Sequence, residues 1–122
     1  MATRSMIAIE KRVGVYDSCY CHFDGYPTHN GKILKENYNN EQLVVDLIAG
    51  GDMSALKENL IDVEYYTKRG ETLHVYENLA FDQLKKSAHD VGCEYIYVFF
   101  PDEETWEYSS HEDNFCASMK LP

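Results

Sequence analysis

A chain of 122 residues with 44% apolar content has material for one hydrophobic core and too little for two. Its net charge of −10 is uneven, because residues 1–38 hold five Lys/Arg against four Asp/Glu and residues 39–122 hold six against seventeen. The acidic part repels a phosphate backbone, which argues against general nucleic-acid binding, and no stretch approaches the ~20 apolar residues that cross a bilayer.

Taken in order, residues 3–12 alternate, with Met6, Ala8 and Glu10 on one side and Ile7 and Ile9 on the other, which predicts a strand. Val13 and Gly14 suit a turn. Residues 15–23 alternate again, placing Cys19 and Cys21 opposite Tyr16, Ser18, Tyr20 and His22, so the two segments form an antiparallel hairpin. Asp24-Gly25-Tyr26-Pro27 is a turn signal, and Pro27 opens a helix running to Tyr38 that puts Ile33 and Leu34 on the core. Gly31 within it either allows close backbone packing or marks a later helix start. Asn39 caps a second helix, with Gln42 as its capping-box partner and Leu43, Val44, Leu47 and Ile48 as its apolar stripe. Gly50-Gly51 ends that helix.

Residues 52–60 read as a loop, and 61–75 leave strand and helix both open. Residues 78–91 form a third helix, with Phe81, Leu84, Ala88 and Val91 at helical spacing and Gly92 as terminator. The run EYIYVFF, residues 94–100, is the strongest strand, and 101–104 turn into a return strand over 105–109. Phe115, Met119 and Leu121 of the tail are expected on the core. Hairpins at both ends with helices between them predict a single α+β domain over 1–122: an antiparallel sheet of about four strands with three helices on one face. The other face would show Tyr, His and charge.

The 10 tyrosines outnumber the 5 Phe and 1 Trp, and they suit half-exposed sheets, core rims and contact surfaces such as a homodimer face. Residues 1–6 carry one Arg and no apolar run, so the chain is expected in the cytoplasm. Four cysteines (Cys19, Cys21, Cys93 and Cys116) are then simplest as free thiols. The C-x-C-H run from Cys19 to His22 lacks the spacing of a zinc pair, so no metal is expected.

The densest chemistry lies in Tyr20 to Lys32. If the strand leads into a helix there, helix-start N–H groups with Lys32 would hold a phosphate or carboxylate, and Tyr20, His22, Asp24, Gly25, Tyr26 and His29 would line the site. A structural reading competes, with Asp24 and Asn30 capping turns and Gly25 taking positive φ. Catalysis by His22 or His29 with Asp24 is a further alternative, but no GxSxG, Walker A or HExxH pattern supplies an activated centre, and no cofactor is expected.

A second feature spans residues 101–113, where Asp102, Glu103, Glu104, Glu107, Glu112 and Asp113 occur without Lys or Arg around Trp106 and Tyr108. Carboxylates that steer encounter and aromatics that anchor would suit a basic partner surface. A solvated acidic hairpin with Trp106 turned inward is the simpler reading.

The segments RSMIAIE, YCHFDGYP, GKIL and LIAGGDMSAL resemble a family of small uncharacterised proteins carried mainly by tailed bacteriophages. Tyr20, His22, Asp24, Gly25, Tyr26, Pro27, Gly31 and Lys32 carry the signature, and Phe23 stands where the family run has Trp. The resemblance implies a phage accessory protein acting by binding. The foremost expectation is counter-defence or host takeover by inhibiting a host defence protein. A sponge for a nucleotide-derived immune signal and a small His/Asp hydrolase are the alternatives.

Overall fold

A computed structural model of the chain describes residues 2–121. Met1 and Pro122, the ends of the domain expected over 1–122, lie outside the described residues. Strands β1 (Ser5–Arg12) and β2 (Val15–Cys21) form the expected hairpin around Gly14, with Ile7 opposite Cys19 and Met6 opposite Tyr20. Phe23 falls beyond the strand. The polypeptide then makes a π turn over Pro27–Gly31 before helix α1 (Lys32–Asn37), so the helix is shorter than the expected 27–38. Gly31 does permit close packing, since a Cβ there would sit 2.9 Å from Leu121 Cδ2 and 3.3 Å from the Tyr97 ring.

Helix α2 (Glu41–Ala49) is capped by Asn40 rather than Asn39: the Asn40 carboxamide oxygen accepts from Leu43 N at 3.0 Å. Three short strands follow that periodicity could not register: β3 (Met53–Ala55), β4 (Glu64–Tyr65) and β5 (Tyr76–Leu79). Helix α3 (Phe81–Asp90) starts three residues later than expected, because Asn78 belongs to β5 at φ 56° and Ala80 N is held by Gln83 Oε1 at 2.8 Å. The second hairpin is β6 (Tyr95–Phe100) with β7 (Thr105–Ser110). In the tail Phe115 and Leu121 are buried as expected, whereas Met119 is exposed on β8 (Met119–Lys120).

The expected antiparallel sheet of four strands with helices on one face is corrected. Among the described residues the strands form one mixed eight-stranded sheet in the order β4-β3-β2-β1-β6-β7-β8, with β5 also on β2. The two hairpins join through β1 and β6, which run parallel, and β2 and β3 are parallel as well. A parallel pair needs a crossover, which the helices and short strands between β2 and β6 supply. Burial explains why β1 and β6 are central. Ile96, Tyr97, Val98 and Phe99 are buried on alternate faces, as are Met6, Ile7, Ala8 and Ile9, and strands apolar on both faces are covered on both. On one face Ile33, Leu34, Val44, Leu47 and Ile48 of α1 and α2 meet Ile7, Cys19, Tyr97 and Phe99. On the other, Leu84 and Ala88 of α3 meet Met6, Ala8, Ile96 and Val98.

Candidate functional site

The run Tyr20 to Lys32 begins on the α3 face and ends on the α1 face. Tyr20 flanks the core beneath α3, and its hydroxyl lies 2.6 Å from His22 Nδ1. Burial pushes the Tyr20 hydroxyl up to about 12, with the Arg4 guanidinium opposing. Tyr20 N donates to Asp52 Oδ1 at 2.9 Å, and His74 Nδ1 donates to Asp52 Oδ2 at 2.8 Å. The His74 ring meets Tyr76 edge-on at 4.4 Å. Sequence reading missed Asp52, His74 and Tyr76 because they sit far along the chain on segments with no clear period.

After β2 the residues turn structural. Phe23 is half-exposed, edge-on to His22 at 4.6 Å. The positive φ expected of Gly25 falls on Asp24 instead, at 59°, and the Asp24 carbonyl accepts from Asn30 N at 3.2 Å. Gly25 lies against β1, where a Cβ would come within 2.7 Å of Thr3 O, and its carbonyl accepts from the Tyr97 hydroxyl at 2.6 Å. Asn30 is fully buried and donates to Phe23 O at 3.2 Å and toward Cys21 Sγ at 3.4 Å. Tyr26 is exposed and edge-on to His29 at 5.8 Å. Lys32 lines a groove of about 430 Å³ with Pro27, Thr28, Gly31, Glu36 and Leu121.

The backbone donors expected for an anion are already used: His29 N bonds to Tyr26 O, Asn30 N to Asp24 O, and Lys32 N to the Pro27 and His29 carbonyls. The structure thus brings Tyr20 together with His22, and Tyr26 with His29. It places Lys32 on the opposite side of the sheet from Tyr20.

Cys19 and Cys21 share one face, buried, as expected for free thiols, and Cys93 is buried while Cys116 is exposed. Burial pushes the thiols of Cys19, Cys21 and Cys93 up, to about 11 for Cys21 and about 12 for Cys93, so these three are poor nucleophiles. Among the described residues, no three His, Cys, Asp or Glu side chains stand together as metal ligands.

At the other candidate surface, Trp106 is 4% exposed, donates through Nε1 to Tyr38 O at 2.8 Å and packs tilted against Phe99. Its indole is core, which is the inward reading. Tyr108 is half-buried between Tyr95 and Tyr97. Glu103 and Glu104 are exposed at the β6–β7 turn, with Glu104 at φ 51°. Glu107 faces away from Trp106 and accepts from the Ser118 hydroxyl at 2.7 Å. Among the described residues Asp102, Glu103, Glu104, Glu107, Glu112 and Asp113 have no ionic partner, since the ion pairs engage only Asp17, Asp52, Glu64 and Asp90.

Sequence reading also missed a groove of about 440 Å³ between α2 and the segment leading into β5, floored by Ile9, Ile48 and Val75. Its signal was Val45, an apolar residue off the α2 stripe and 42% exposed.

No family model matches the chain, and neither a curated protein nor a solved structure does.

Proposed function

We propose that this chain is a non-catalytic binding protein that docks its acidic C-terminal hairpin on a basic surface of another protein. The carrying observation is the set of six carboxylates from Asp102 to Asp113 without an ionic partner among the described residues. Asp102, Glu103, Glu104 and Glu107 lie on the β6–β7 hairpin, with Glu112 and Asp113 beyond its far end, and carboxylates without ionic partners raise encounter rates with a cationic surface and select against acidic ones. The resemblance of the Tyr20 to Pro27 run to phage proteins supplies the setting, in which the partner is a host defence protein and binding inhibits it. The sponge reading draws on Tyr20 and Lys32, which lie on opposite sides of the sheet, and the hydrolase reading on His22 and His29, whose rings meet Tyr20 and Asn30 rather than Asp24; no observation favours either over docking.

The test is pull-down of the tagged chain from bacterial lysate, followed by titration of the recovered partner against salt. Affinity is expected to fall steeply as salt rises, and joint reversal of Glu103, Glu104 and Glu107 to Lys to abolish the complex. A stoichiometric complex indifferent to both would overturn the acidic interface.

A further inference from the structure

The groove beside α2 has no role in the reading above. Its floor is apolar, and two of its walls, Val45 and Leu73, are 42% and 56% exposed. Its rim is acidic in effect. Lys11 is engaged by Asp17 Oδ2 at 3.3 Å and Asn78 Oδ1 at 2.9 Å. That leaves Glu41 and Glu77 on the rim with no cation paired to them among the described residues.

A second groove of about 330 Å³ shares Lys11 and Glu41 with the first and runs on to Phe100, Pro101, Asp102 and Glu103. Its remaining cation, Arg12, is in no ion pair among the described residues and shares the lining with four carboxylates, Glu10, Glu41, Asp102 and Glu103, so the groove stays net acidic. The two surfaces meet because β1 and β6 run parallel, so that the β1–β2 turn and the β6–β7 turn lie at the same end of the sheet. An apolar trough thus leads directly to the acidic turn.

We infer that this trough receives an extended segment of the partner protein whose Leu-sized apolar side chains are flanked by Lys or Arg. The inference rests on the proposed docking of a basic partner and assigns it a second contact. Apolar side chains bury against Ile9, Ile48 and Val75, and flanking cations reach Glu41, Glu77 and the turn carboxylates. Peptide segments are recognised in this way where a groove gives affinity and surrounding charge gives register. A second copy of the chain is the wrong occupant, because it brings net charge −10 to an acidic rim.

The probe is the hexapeptide Lys-Arg-Leu-Leu-Arg-Lys, titrated into the whole isotopically labelled chain and followed by amide and methyl shifts. Two controls replace its central Leu-Leu by Gly-Gly or its four cations by Glu. Expected are shifts at Ile9, Val45, Ile48 and Leu73, with affinity at least about tenfold weaker for either control. Val45→Lys and Leu73→Lys, both at exposed positions, should each weaken binding by about the same factor while leaving the rest of the spectrum unchanged. Equal binding of the Gly-Gly peptide, or shifts confined to residues 102–113, would overturn the trough and leave charge docking standing. Binding by none of the three peptides would overturn it too. Failure of the docking reading itself is seen separately, as a partner complex indifferent to reversal of Glu103, Glu104 and Glu107.

Discussion

Asn30 shows what a single buried polar side chain does here. Its amide ties the strand exit at Phe23 to the π turn, and it has no exposed surface. Removing a buried donor leaves an acceptor unsatisfied, so Asn30→Ala is expected to cost about 1–3 kcal/mol in urea unfolding. An unchanged midpoint would mean that water replaces the amide. The thiols give a second residue-scale prediction. Burial raises Cys21 from its ordinary 9.0 to about 11, so the folded state holds that proton more tightly than the unfolded chain. The corresponding stability is intact below pH 9.0 and is lost as pH rises toward about 11. The urea midpoint should therefore decline above pH 9.0, with a shallower decline in Cys21→Ala. A thiol reagent at neutral pH should label Cys116 in the native protein and all four cysteines only after denaturation.

At the scale of elements, α3 is the helix that closes the second face of the sheet. Leu84 is fully buried against the Met6, Ala8, Ile96 and Val98 face. Leu84→Ala should cost about 2–5 kcal/mol, measured by chemical denaturation. A loss under about 1 kcal/mol would fit a helix lying loosely on an uncovered face. The two hairpins were legible because each is a local pairing of alternating segments around a turn. Four further strands were not, since β3, β4, β5 and β8 have two to four residues each and exist only by pairing with distant chain. Asn78 is a clear case: its helix-like neighbourhood is overruled because its N–H is taken by Asp17 Oδ1 at 2.9 Å, on the neighbouring strand β2.

For the molecule as a whole, charge acts in two directions. Self-repulsion at net −10 weakens the compact state, so moderate salt should raise the melting temperature. The same salt should weaken a complex held by the Asp102 to Asp113 carboxylates. Opposite slopes in the two titrations are the expected outcome, and a complex strengthened by salt would point to an apolar interface without charge.

The sequence by itself determined the mixed α+β composition, the two hairpins, the α2 stripe and the buried pairing of Cys19 with Cys21 on one face, since each follows from period and turn chemistry within a short stretch. It also marked the acidic stretch from Asp102 to Asp113, since charge is additive along a chain. Only the tertiary structure decided that β1 and β6 lie side by side in parallel, that α3 covers the face opposite α1 and α2, and that Tyr20 and Lys32 part to opposite sides. It alone set Asp52 and His74 beside Tyr20 and joined the α2 groove to the acidic turn. These are pairings between segments tens of residues apart, fixed by which buried faces fit together, and no local pattern encodes them.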